Sequence, residues 1–293
     1  MKRTWTAILS AAGVTLAAVI PAVAPASAAT LAPPQVRVNQ VGYPSSGPKA
    51  AYAMLPRKVA SVRYEVITPY GVAYRGVSTD DVGSWNANYQ AVYRLSFSRV
   101  QLPGQYRVKL VSPAAALSPG FIIGDGTQLY RELVDNSVRY FTSERDGAWN
   151  PARKVLYAQV GIGTGNASFA QQQLNFALGA NGWGTSFVAG AGTAYPHCMQ
   201  SEIANLAGSL TGSGNIQLGA TTDGPSSPDN FTGLGTVDGM RACSSGHFAP
   251  FNTKTAAYED NVVSWPSVEP ADDYTANSLM AFALGADKGS GLG

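Results

Sequence analysis

The sequence predicts a two-domain β + α chain, and two patterns carry that prediction. Between residues 35 and 124, apolar residues recur with a period of two in short runs broken by turn signals. From residue 126 onward they recur at three- and four-residue steps, the period of a helix that buries one face. Gly124-Asp125-Gly126 lies between the two regimes and marks the boundary. A length of 293 residues accommodates two domains.

The strand runs are Gln35–Val41, Ala60–Thr68, Tyr89–Ser96, Gln105–Val111 and Pro119–Ile123. Gly42-Tyr43-Pro44, Pro69-Tyr70-Gly71 and Leu102-Pro103-Gly104 punctuate them as turns. Short strands at this spacing predict an immunoglobulin-like β-sandwich over residues 35–124. Beyond the boundary, Leu129, Leu133, Val134, Val138, Tyr140 and Phe141 line one helix face, which ends at Gly147. Near the C-terminus, Ala257–Leu284 reads as a loop feeding a helix. Pro270 suits the first helical position and Glu269 falls at the N-cap. Ala271, Tyr274, Ser278, Ala281 and Leu284 keep the helical period, and Leu279, Met280 and Phe282 widen the apolar face, so this helix is expected inside a larger body.

Composition excludes several functions. Charged residues make up 13% of the chain and the net charge is +2, without the clustered Lys and Arg of a nucleic-acid footprint. With 32 Gly, 14 Tyr and 5 Trp the chain is polar, uncharged and loop-rich, which suits neutral polyhydroxyl ligands. Lys2 and Arg3, the apolar run Ala7–Val23 and the small-residue site Ala26-Ser27-Ala28 read residues 1–29 as a signal peptide cleaved after Ala28 or Ala29. A membrane anchor fits less well, because Gly13 and Pro21 interrupt a short run and no Lys or Arg follows before Arg37. The mature chain is therefore expected to be secreted, monomeric and free of the membrane. Export permits a disulfide between Cys198 and Cys243, but the sequence alone does not choose between a bridge and two thiols. Two cysteines with no paired His nearby do not make a zinc site.

Several motifs add a family resemblance. Arg37-Val38-Asn39-Gln40-Val41-Gly42-Tyr43-Pro44 closely resembles the opening of the N-terminal immunoglobulin-like domain found in many members of glycoside hydrolase family 9, the inverting cellulases. Asp260-Asn261, Trp265, Glu269-Pro270-Ala271 and Asp273-Tyr274-Thr275-Ala276 resemble the C-terminal signature of the same family. Gln171–Asn181 is similar to its late helix, Trp183–Gly192 to its Gly-rich loop, and Tyr195-Pro196-His197 to the position of its substrate-binding His. The resemblance implies an (α/α)6 barrel for residues 126–293, a β-1,4-glucan such as cellulose as substrate, and Glu269 as general acid. It implies sugar contacts for His197, Trp183 and Tyr195, and no cofactor; calcium has no motif to support it. Where the family often has His-His-Arg, this chain has His197-Cys198-Met199.

One part of the family pattern is missing. A Gly-Gly-Trp-Tyr-Asp-Ala-Gly-Asp type loop should carry the two aspartates that activate water. The Asp-Gly pairs of this chain, at residues 125, 146, 223 and 238, lack that context. From residue 125 onward 293 − 124 = 169 residues remain. Twelve helices of about 11–12 residues plus connections need far more. The barrel is therefore expected to be incomplete, with its middle missing close to residues 148–156. Asp260 is then the least implausible substitute base, ahead of Asp272 and Asp273 in the first turn of the last helix. Asp223 and Asp260 otherwise read as turn or cap residues, and only secondarily as cleft or calcium-site residues.

Overall fold

A computed structural model describes residues 31–143, 167–201, 204, 217–235, 240–245 and 247–287. The signal-peptide expectation and the deletion point near residues 148–156 lie outside these residues, as do the side chains of Val138 and Phe141. Residues from Leu31 onward form one compact unit.

The first half is the expected sandwich. Its strands are β1 (Gln35–Arg37), β2 (Gly42–Pro44), β3 (Ala50–Leu55), β4 (Val62–Thr68), β5 (Gly71–Ser78), β6 (Asp81–Gly83), β7 (Ala91–Ser96), β8 (Gly104–Ser112), β9 (Ala116–Leu117) and β10 (Phe121–Gly124). One sheet has the order β1-β3-β7-β6 and the other β2-β10-β8-β4-β5, with β9 beside β8. Alternation decides which side chains go inside. Val62, Tyr64 and Val66 of β4 and Tyr106, Val108 and Leu110 of β8 are buried, while the residues between them face outward. They meet Val36, Ala53, Tyr93 and Leu95 of the facing sheet in one apolar core. Tyr43 sits at its centre, edge-on to Phe97 and Phe121. Its buried hydroxyl accepts the Asn39 N–H at 2.9 Å and donates to the Ala50 carbonyl at 2.8 Å. Gly42 is required beside it: with φ +139°, a Cβ there would lie 2.2 Å from the Ile122 carbonyl oxygen.

Gly42-Tyr43-Pro44, expected as a turn, is strand β2 and pairs in parallel with β10. The sequence pattern also left out the short β6 and β9, and it left out β3 and β5 for opposite reasons. In β3, both faces are covered. Ala51, Ala53 and Leu55 enter the sandwich core, and Met54 packs on the outer side with Tyr89 and Val92, against Trp85 and Phe251. A strand buried on both faces shows no alternation. In β5, nearly every side chain is exposed or half-exposed, so little apolar signal remains.

Among the described residues, the second half contains the α-helices α1 (Gly126–Ser143), α2 (Ala167–Ala177), the short α3 (Trp265–Val268) and α4 (Asp272–Asp287). Among the described residues these helices do not build a twelve-helix barrel. Helices α1 and α4 pack together through Leu129, Tyr130, Leu133 and Val134 against Leu279 and Phe282. Tyr140 in α1 donates to Asp272 Oδ1 at 3.0 Å, at the start of α4. Helix α4 is buried on one face rather than on most: Leu279 and Phe282 are inside, whereas Tyr274 and Met280 are exposed.

The Arg37–Pro44 motif turns out to be the joint between the halves. Asn39 Nδ2 donates to Asn175 Oδ1 at 2.9 Å, and the Gln40 N–H donates to the Leu178 carbonyl at 3.0 Å. The buried Gln40 amide does more. Its Oε1 accepts the Thr193 N–H, the Thr193 hydroxyl and the Ala194 N–H at 2.9, 2.7 and 3.0 Å, and its Nε2 donates to the Gly184 carbonyl at 2.8 Å. Nearby, the Arg37 guanidinium lies over the Phe251 ring at 4.6 Å, and the Trp85 indole N–H donates to the Phe251 carbonyl at 2.7 Å.

Removing the Gln40 amide strands those donors away from water. Gln40→Ala is therefore expected to destabilise the chain by roughly 2–4 kcal/mol, read as a lowered urea midpoint.

Candidate active site

Glu269 stands where three backbone segments meet. It caps the C-terminal end of α3 with φ −70° and ψ 125°, and its N–H reaches back to the Trp265 carbonyl at 3.3 Å. The segment after His197 arrives through the Gln200 N–H, which donates to the Val268 carbonyl at 3.1 Å. A third segment, Thr221–Gly224, runs antiparallel to residues 267–271. In it Thr222 bridges Pro270, the Asp223 N–H donates to the Glu269 carbonyl at 3.2 Å, and the Thr221 carbonyl accepts the Ala271 N–H at 3.2 Å. The Glu269 side chain itself is exposed.

This corrects the expected N-cap. Pro270 belongs to the extended strip, and α4 begins at Asp272, with the Ala271 carbonyl accepting the Thr275 N–H at 3.0 Å. The ladder to Thr221 holds residues 270–271 extended, so the helix cannot start at the proline. Asp272 and Asp273 occupy the first turn instead, where carboxylates favour the helix dipole.

Asp260 also differs from its expected role. It is 3% exposed, and its carboxylate accepts the His197 N–H (3.1 Å to each oxygen), the Cys198 N–H (2.8 Å) and the Ser245 hydroxyl (2.6 Å). Its carbonyl accepts the Ser245 N–H at 2.8 Å. The Cys198–Cys243 pair forms a disulfide in the same place, which settles the alternative left open by the sequence. Asp260 and the disulfide thus tie residues 197–198 to residues 243–245. The cavity beside Asp260, about 180 Å³, is smaller than the roughly 300–1,000 Å³ of ordinary ligand sites. Asp260 is a loop clamp, and a carboxylate held this way is poorly placed to activate water.

The three expected sugar contacts separate. Tyr195 and His197 are half-buried and stack on one another, with ring centroids 4.5 Å apart at 25°. Trp183 is 3% exposed, edge-on to Trp85, with its indole N–H donating to Asn252 Oδ1 at 2.7 Å. Its ring fills the space between the Gly-rich loop and the sandwich and offers no open face to a sugar. Two exposed aromatics flank Glu269 in sequence, Trp265 and Tyr274.

Sequence reasoning gave Asp223 little weight. The strand register sets it directly opposite Glu269. Burial pushes its carboxyl up to about 6, and the Glu269 and Asp273 carboxylates push it the same way. The sequence signal was a turn, Thr222-Asp223-Gly224-Pro225, which is compatible with this role but does not announce it. Among the described residues, no group of three or more His, Cys, Asp or Glu is arranged to hold a metal ion.

The family model described as glycosyl hydrolase family 9 matches residues 153–282, and that of the cellulase N-terminal ig-like domain matches residues 32–113. The two matches together make the chain similar to glycosyl hydrolase family 9 over residues 153–282, with a segment similar to the cellulase N-terminal ig-like domain before it. Endoglucanase C from Cellulomonas fimi is 34% identical over 114 residues, covering 39% of this chain and 10% of that protein. A metagenome-derived family 9 endoglucanase of known structure aligns at 25% identity with a TM-score of 0.34, over 40% of this chain and 23% of its own. A Bacteroides ovatus family 9 structure aligns at 26% identity with a TM-score of 0.30, over 37% of this chain and 18% of its own. The chain thus spans a quarter or less of the length of these relatives.

The raised Asp223 carboxyl predicts a pH-dependent stability. In the unfolded chain Asp223 has its ordinary value of 3.8; in the fold it is about 6, so the native state holds its proton longer. Stability from this group is then fully present below pH 3.8 and lost as pH rises through about 6. Asp223→Asn should stabilise the chain above pH 6 by about 1–2 kcal/mol, after discounting for a group only half-buried, and by nothing below pH 3.8. Urea unfolding across that range checks both the sign and the window.

Proposed function

We propose that the chain is a secreted, cellulase-type member of its family whose substrate is a β-1,4-glucan, with Glu269 as the general acid. The convergence of three segments on residues 268–269, which leaves the Glu269 carboxylate exposed, carries this reading. Tyr195 and His197 supply a stacked ring surface on the segment that reaches Val268. Inverting hydrolysis needs a second carboxylate across the sugar ring, about 6.5–9.5 Å from the acid, to activate water. No Gly-Gly-Trp-Tyr-Asp-Ala-Gly-Asp type loop occurs in the sequence, and Asp260 is spent on the clamp. The chain therefore keeps the acid half of an inverting site without the base half, and hydrolyses glucan weakly. General acid–base assistance contributes roughly 10²–10⁴-fold per group, so losing the base leaves only a trace.

A second reading is a non-catalytic glucan-binding protein. It rests on Tyr195, His197, Trp265 and Tyr274, which present ring surface whether or not chemistry follows.

Both readings meet in one experiment. Reducing-sugar release from carboxymethyl-cellulose by the purified chain is expected to stay close to the enzyme-free blank, while retardation in a β-glucan affinity gel persists. Robust release that Glu269→Gln abolishes would show a complete site and overturn the weak-hydrolase reading. Absence of retardation would remove the β-glucan from both readings.

A further inference from the structure

We propose that Asp223 is a positioning residue for Glu269: the two carboxyl groups, set opposite one another across an antiparallel backbone strip, share a single proton. The inference rests on Glu269 being the acid of the site.

The geometry comes from the register. The Thr222–Pro270 bridge and the hydrogen bonds on either side of it make Asp223 and Glu269 a direct cross-strand pair. Such pairs point their side chains to the same side, with Cβ atoms roughly 4.5–5.5 Å apart. Two carboxylates this close repel when both are ionised, and one proton between them removes the repulsion. Among the described residues the charged groups acting on Asp223 are both carboxylates, Glu269 from the loop after α3 and Asp273 from the first turn of α4. From the other side the strip meets Phe187, whose carbonyl accepts the Thr222 N–H at 2.9 Å and whose ring lies against Gly224. Among the described residues no cation acts on Asp223, and burial adds to the retention of its proton.

The same register says what Asp223 does not do. A base for inversion stands across the sugar ring from the acid, whereas Asp223 stands on the acid's own side. Its work is on the proton. When Glu269 gives a proton to the leaving oxygen, the pair becomes doubly ionised. It recovers one proton from solvent through the half-exposed Asp223 carboxyl.

The test does not require hydrolysis. In the full chain labelled with ¹³C at side-chain carboxyls, the Asp223 resonance is expected to titrate near pH 6, and Glu269→Gln to lower that midpoint by half a pH unit or more. Asp273→Asn should move Asp223 less, since Glu269 pairs with it directly across the strip whereas Asp273 reaches it from the first turn of α4. Amide spectra of each variant establish that it is folded. An Asp223 midpoint unchanged in Glu269→Gln overturns the inference, even if the chain hydrolyses glucan. A shifted midpoint in a chain that neither binds nor cleaves glucan upholds the shared proton and removes the enzymatic reading instead.

Discussion

The Gln40 side chain is the point on which the two halves depend. Its amide is buried where no water can substitute, and four groups of the second half use it. A buried amide of this kind is favourable only when every partner is in place, so it demands one docking geometry and penalises others. Its bonds fix the loop from Gly184 to Ala194. That loop in turn passes its order onward: the Ala189 N–H donates to the Ala220 carbonyl at 2.9 Å, and the Phe187 carbonyl accepts from Thr222. The strip at residues 221–224 then sets Asp223 against Glu269. A continuous line of hydrogen bonds thus runs from the sandwich to Glu269, and gives an otherwise remote β-domain a part in placing that residue.

What could be read from the sequence follows from what each residue is buried against. Strands β4 and β8 have one covered face and one open face, so alternation announces them. Strand β3 is covered on both faces because Trp85 and Phe251 close its outer side, and a one-dimensional pattern cannot show a second layer. The Arg37–Pro44 motif was legible as a motif, but its use as a joint was not, since Asn175, Gly184 and Thr193 lie far along the chain. Glu269 stands out in the sequence only through its resemblance to a family signature. Its place outside the last helix was not legible there, because the bonds that hold residues 269–271 extended come from Thr221 and Asp223. Trp183 misled in the same way: an aromatic in a Gly-rich loop resembles a sugar platform until Trp85 is seen against its ring.

Asp223, Asp260 and Glu269 show how placement separates side chains of nearly identical chemistry. Asp260 is enclosed and met by donors from three residues, two of them on either side of a disulfide-tied loop. Its charge is used to hold backbone. Glu269 is open to solvent, with its backbone pinned and its carboxylate unclaimed among the described contacts. Asp223 lies between these extremes, half-buried and with carboxylates as its charged neighbours. A donor-rich enclosure favours a fixed carboxylate, whereas a donor-poor, acid-rich surface favours a retained proton. On the proposed reading of Glu269 as the acid, the strand register that sets Asp223 opposite it builds the proton chemistry of the pair into the fold.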